Sequence, residues 1–371
     1  MNWNVEEIRR RYDRWWGRDQ TGPLVYIEVL RNGAQKAPIL PSWVKDDPRW
    51  GFVHPWLAAR ERGQAGGLDG LLAGSLAVFQ ATRYAGDGYP RINLNLGPGS
   101  AAAYLTGFLK FGEGTSWFEL EKPMPWDSIL RLKAREDNHW WSITKEMTAF
   151  LARESGDRFI VGYPDLGGLM DILASLRTSN QLLEDLIEEP ELVKESLRLI
   201  LDLWHKYYDD LSKILSDAGQ KGTGAWMEMW CRQKWYPLQC DIAFMFGGDM
   251  FEELAMPTLV EQCARIEQPI FHWDGPGQLK HLDHLLSIER LAGIQWVPGA
   301  GQPGQEDERW FPYYEKILRS GKRLVLNYLA PHSVPVIIKR LGGKGLFLQA
   351  WCTKEEEAID LSQELHMPIQ E

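Results

Sequence analysis

Pro269-Ile270-Phe271-His272-Trp273-Asp274-Gly275-Pro276-Gly277 is a short apolar run that ends on a His-x-Asp pair and breaks at once on Gly and Pro. A run of this length bounded by turn residues reads as a buried strand. Polar residues at the carboxyl end of such a strand stand where parallel α/β enzymes display their chemistry. A second run, Gly345-Leu346-Phe347-Leu348-Gln349-Ala350, delivers Cys352 just ahead of Thr353-Lys354-Glu355-Glu356. The Thr-x-x-Glu spacing predicts a capping box, and so a helix start directly after the cysteine.

Outward from these two runs, further apolar stretches occur at residues 24–29, 158–162, 224–228, 293–297 and 323–327, with a weaker one at 91–94. Helical patterns separate them. The clearest begins at Pro190 and places Val193, Leu197, Ile200, Trp204, Tyr208, Leu211 and Leu215 on one face before Gly219 stops it. Another opens the chain, with Asn4 as N-cap and Val5, Ile8, Tyr12 and Trp15 at helical spacing, and a third is expected over residues 127–154. Strands alternating with helices predict a parallel sheet, because each crossover must cover one of its faces. Eight of them predict an α/β fold of the (β/α)8 barrel type, with an N-terminal helical extension and insertions, as a single domain over residues 1–371. An open doubly wound sheet is the competitor, but no G-x-G-x-x-G follows an early strand. Residues 35–125, rich in Gly, Pro, Asn and Trp, carry little periodicity.

A chain of 371 residues with 44% apolar content is long enough for one large core. It has no uncharged apolar run of about 18 residues, and its first residues lack the basic and apolar regions of a secretory leader, so a cytoplasmic location is expected. Four scattered cysteines suit reduced thiols better than a disulfide framework. The net charge of −10 argues against nucleic acid and anionic membranes as partners. Most of the eighteen tryptophans must be packing, and a few that line a pocket would suit an aromatic ring or a methylated ammonium group.

The expected strand tips present a convergent set of polar groups: Glu28 and Arg31, Tyr163 and Asp165, Glu228 within Trp226-Met227-Glu228-Met229-Trp230, His272 with Asp274, Gln295 with Trp296, Asn327 with Tyr328, and Cys352. Glu, His, Asp and Cys at four tips are able to complete a tetrahedral zinc shell or leave one position open. Each also has a plainer explanation: a core histidine bonded to backbone, a turn aspartate before Gly275, a small buried thiol, a glutamate in a salt bridge. The place of Cys352 before a helix favours the thiolate, and Glu228 among Trp and Met requires some partner, a metal or a cation. His281 and His284, three apart, fit an amphipathic helix better than a metal pair.

The stretch from Gln239-Cys240-Asp241 through Phe251-Glu252-Glu253-Leu254 and Pro257 to His272-Trp273-Asp274-Gly275 resembles the uroporphyrinogen decarboxylase superfamily, and within it the zinc-dependent cobamide (corrinoid) methyltransferases. Those enzymes carry His-x-Cys-Gly after one strand and a cysteine near the last, matched here by His272-Trp273-Asp274-Gly275 and Cys352. Ile294-Gln295-Trp296-Val297-Pro298-Gly299 fits an uncharacterised branch of the same superfamily. Two departures stand out. The decarboxylases have Arg-Gln-Ala-Gly-Arg after strand one, where this chain has Leu30-Arg31-Asn32-Gly33, and Asp274 replaces a ligand cysteine, which hardens the presumed shell.

The resemblance implies a zinc methyltransferase that moves a methyl group between a small O- or N-methylated substrate, or a thiol acceptor, and the cobalt of a corrinoid held by a partner protein. In that reading His272, Cys352 and Glu228 hold zinc, while Asp274, Tyr163 and Asp165 act in catalysis. Gln295, Trp296, Asn327, Trp226, Trp273 and Arg31 bind substrate, and a homodimer is compatible with the sequence. The alternatives are a metal-free decarboxylase-like lyase and a non-catalytic binder of a corrinoid or small molecule.

Overall fold

The structure, a computed structural model, describes residues 4–34, 67–94, 96–111 and 116–369. Its strands are β1 (Leu24–Leu30), β2 (Thr82–Gly86), β3 (Arg91–Asn93), β4 (Lys110–Phe111), β5 (Ser116–Trp117), β6 (Ile160–Gly162), β7 (Trp235–Leu238), β8 (Gln268–Asp274), β9 (Gly293–Val297), β10 (Arg323–Leu329) and β11 (Leu346–Trp351). Seven of them form one sheet in the order β2-β1-β11-β10-β9-β8-β7. All its pairs are parallel except β1 with β2. β3 and β6 make a separate parallel pair, and β4 and β5 a small antiparallel one.

The expected α/β class with a mostly parallel sheet is therefore present. The expected closure is not: among the described residues no hydrogen-bond ladder joins β2 to β3 or β6 to β7, and a single bridge at Gly162–Gly224 links β6 to the segment that follows the long helix. Residues 224–228, expected as a strand, make only the single bridge of Gly224 to Gly162, and the strand proper is Trp235-Tyr236-Pro237-Leu238. Proline donates no ladder hydrogen bond, which hides such a run from a reading by pattern. Residues 35–66 lie outside the described residues, and β2 to β5 all fall in the stretch of weak periodicity.

Local chemistry accounts for the helices. Asn4 accepts from the Glu7 amide at 3.1 Å and starts the helix Val5–Gly17. Its indoles tie it down, Trp15 donating to the Leu346 carbonyl at 2.9 Å and Trp16 to the Trp230 carbonyl at 2.8 Å. Residues 127–154 hold two helices rather than one, Trp126–Ile129 and His139–Ser155, the second begun by the Asn138 side chain on the Trp141 amide. Helix Pro190–Asp217 buries its whole expected face. The last helix, Glu355–Glu364, is capped by Glu357 rather than Glu356. Its carboxylate accepts from the Thr353 and Lys354 amides at 2.7 and 3.1 Å, so the box is shifted by one residue.

Seven of the eighteen tryptophans rank among the largest fully buried side chains, which settles their main role as core. No helix among the described residues is long and apolar enough to cross a membrane.

Candidate functional site

Strand β8 alternates. His272 and Asp274 are half-buried, whereas Phe271 and Trp273 are buried on the other face. The parallel register sets His272 beside Gln295 of β9 and Trp273 beside Trp296. Trp273 and Trp296 have no exposure, their rings meet at 4.5 Å, and Trp296 continues to Trp310 at 4.9 Å. The indole of Trp273 donates to the Gln278 carbonyl at 2.7 Å. The expectation that these two tryptophans bind substrate is thus corrected, because a period of two sends them into the layer between sheet and helices. Tyr163 is corrected for the same reason: its ring packs on Tyr208, and its hydroxyl meets Ser212 of the long helix at 2.9 Å.

On the His272 face, buried polar side chains form one continuous chain. Arg91 of β3 pairs with Glu228 at 2.9 Å and reaches Glu28 of β1 at 3.4 Å. The other Glu228 oxygen accepts from Asn327 Nδ2 at 3.1 Å, and the same amide donates to Gln349 at 3.0 Å. Gln295 Nε2 donates to Asn327 Oδ1 at 2.7 Å, and Gln295 Oε1 lies 2.6 Å from His272 Nδ1. Glu228, Asn327, Gln295 and Gln349 are all buried.

The direction of this chain follows from its ends. Arg91 holds Glu228 as an acceptor, although burial pushes the Glu228 carboxyl up from its ordinary value and Glu28 adds to that. Asn327 must then donate to Glu228, Gln295 to Asn327, and His272 through Nδ1–H to Gln295. In the neutral form of the imidazole this leaves the lone pair on Nε2, which forms no hydrogen bond among the described residues. Trp226 stands edge-on to the ring, 5.2 Å away.

Two carboxyls, Asp165 and Asp171, lie within electrostatic reach of that imidazole, and Asp241 in turn lies within reach of Asp165. Asp165 accepts from the Gly167 amide at 2.8 Å and is pushed up to about 6, chiefly by burial against the pull of that hydrogen bond and of His272. Asp171, which accepts from the Asp241 and Ile242 amides at 2.9 Å each, is raised to about 7 by burial and by the Asp241 charge. Asp241 lies exposed at the rim, yet desolvation and its neighbours Asp165 and Asp274 also raise it to about 7. Gly168 makes room for this arrangement, since a Cβ there would come within 2.1 Å of the Gln239 carbonyl oxygen and 2.4 Å of an Asp171 oxygen. Carboxyls that ionise near neutrality are suited to carry a proton at working pH.

The expected zinc set does not assemble. Glu228 is occupied by Arg91 and Asn327. Cys352 is a buried thiol pushed up to about 12 by burial and by Glu357, the reverse of the expected thiolate. Among the described residues no group of three or more His, Cys, Asp or Glu is arranged to hold a metal ion. Arg31 sits beside the Arg83–Glu355 pair. His281 is stacked on Phe251 at 4.3 Å with Nε2 on the Ala243 carbonyl, while His284 faces Glu252 at 3.7 Å. Arg91, Asp171 and Gln349 were missed. Asp171 had a signal, an acid in the first turn after Gly167-Gly168; Arg91 had none.

No family model and no curated protein matches the chain. A solved structure does: the chain is similar to a methyltransferase from Methanosarcina mazei, with a TM-score of 0.55 and 10% identity over 97% of this chain and 99% of that one. At that identity, what the two share is the fold.

Proposed function

We propose that this chain is a methyltransferase of the barrel type, acting over the carboxyl-terminal edge of its sheet on a small, neutral or cationic O- or N-methylated substrate. The observation that carries the reading is the amide chain from Glu228 to His272, which presents one imidazole nitrogen near the raised carboxyls of Asp165 and Asp171. A structural neighbour described as a methyltransferase supports the reaction class. The acidic surroundings, with Arg91 already engaged by Glu28 and Glu228, disfavour a carboxylated substrate and so the lyase alternative.

In this reading a corrinoid protein accepts or supplies the methyl group, as the sequence resemblance implies, and the exposed Phe244, Met245, Tyr328 and Trp351 offer it an apolar rim. In demethylation the methyl carbon would pass to the nucleophile that the corrinoid protein supplies, while the electron pair of the broken bond stays on the substrate heteroatom. From a neutral ether or amine that leaves an anion, which takes a proton from the Asp171 or Asp241 carboxyl, whereas a quaternary ammonium leaves as the neutral amine and needs none. His272 Nε2 accepts a hydrogen bond from an O–H or N–H of the substrate and orients it. The residues do not fit the zinc set, because Glu228 is held by Arg91 and Asn327.

The test is transfer from 13C-methyl methoxybenzenes and methylamines to a corrinoid protein. We expect His272→Ala to lower kcat on the order of 10²-fold, and Cys352→Ala to leave both kcat and metal content unchanged. Full activity of His272→Ala removes the proposal; one equivalent of zinc lost on Cys352→Ala restores the metal reading.

A further inference from the structure

At the opposite, amino-terminal edge of the sheet lies a cavity of about 430 Å³ whose eleven lining residues include Arg18, Arg319, Lys322, Arg323 and Lys344. Five of those eleven residues are cationic and none is acidic, in a chain whose net charge is −10. Helix Phe311–Arg319 ends here, and cations near a helix carboxyl end are favourable in themselves. That accounts for Arg319, which also reaches Glu315 at 3.6 Å.

It does not account for the buried pair. Lys322 and Arg323 are 7% and 4% exposed, and neither has a carboxylate partner among the described residues. Lys322 donates to the Ile288 and Leu291 carbonyls at 2.6 and 3.0 Å. Arg323 donates to the Ala292, Trp15 and Trp16 carbonyls and lies over both indoles at 5.1 and 5.0 Å. Carbonyls satisfy donors but do not neutralise charge, and buried cations ordinarily have a counterion. The Arg323 Nε is buried without any partner. Burial and then the Arg18 charge pull Arg323 down to about 10, and Lys322 is lowered by burial and by the same arginine. Arg18 and Lys344 stand exposed at the rim without an ion pair among the described residues.

We infer that this cavity is a binding site for a phosphate-bearing dianion, the missing counterion of Lys322 and Arg323, with Arg18 and Lys344 as its rim contacts. A dianion rather than a monocarboxylate matches a site where several cations converge, and guanidinium forks suit phosphate oxygens. The volume admits the phosphate and a small organic body.

Thermal unfolding and titration calorimetry of the full chain with inorganic phosphate, at constant ionic strength held with sodium chloride, test it. The expected result is a saturable rise in Tm, binding at least tenfold weaker in Arg18→Gln/Lys344→Gln, and partial retention in Arg18→Lys. Both rim residues are exposed, so the variants fold. Ribose 5-phosphate separates the sources: tenfold tighter binding than inorganic phosphate assigns a phosphate ester, equal affinity the free ion. The same Tm rise with chloride alone, or an undiminished response in the double variant, overturns the site.

Discussion

At the residue scale the site rests on a direction of donation that begins at Arg91 and ends at His272. Gln295→Leu interrupts it with little change in volume and leaves both tautomers of the imidazole accessible. We expect kcat to fall on the order of 10²-fold with KM little changed, and the 15N shifts of His272 to move from the Nδ1–H pattern toward a mixture. An unaltered 15N pattern would show that Gln295 does not set the tautomer. His272 was legible in the sequence because a strand followed by Gly-Pro advertises its tip. The partner of Glu228 was not, because Arg91 lies 137 residues away and sequence spacing carries no trace of that pairing. The glutamate's need for a cation was readable; whether that cation was a metal or a guanidinium was not. Cys352 failed differently, since the field of one helix end is outweighed by burial and by Glu357.

At the element scale, β8 and β9 act as a two-sided wall, polar on the face of His272 and Gln295 and apolar on the face of Trp273 and Trp296. Trp296→Ala removes a fully buried indole from between Trp273 and Trp310. It should cost about 3–5 kcal/mol in urea denaturation while leaving KM at permissive temperature within a factor of about two. A large KM effect at unchanged stability would return the indole to the substrate wall. The strands with continuous apolar patterns, β1, β6 and β8 to β11, were legible at close to their observed bounds. β7 was hidden by Pro237, and β2, Thr82-Arg83-Tyr84-Ala85-Gly86, gave no pattern because it is short and its buried half holds a small residue and a glycine rather than an apolar run.

At the scale of the whole molecule, raised carboxyls leave a signature in stability. Asp87 and Asp165 are raised to about 6, and Asp171 and Asp241 to about 7, in each case first by burial. An acid whose folded pKa exceeds its unfolded one holds its proton more tightly when folded. It therefore costs stability once ionised, and that cost is relieved as the pH falls through the folded pKa. Tm should rise as the pH is lowered from about 8 through 6, and Asp171→Asn/Asp241→Asn should flatten the slope; a Tm that falls over the same interval would contradict the assignment. Methyl transfer that needs the protonated acid should decline above about pH 7.

Tyr328 adds one consequence. It follows Asn327 at φ +60, where β10 breaks register against β11, and it stands exposed with its ring 5.8 Å from Trp351. A bulky residue is uncomfortable in the left-handed region, at a cost of order 1–3 kcal/mol, and asparagine tolerates it better. Tyr328→Asn should accordingly give a protein that withstands heat better and turns over worse, a trade visible in one melting curve and one rate measurement.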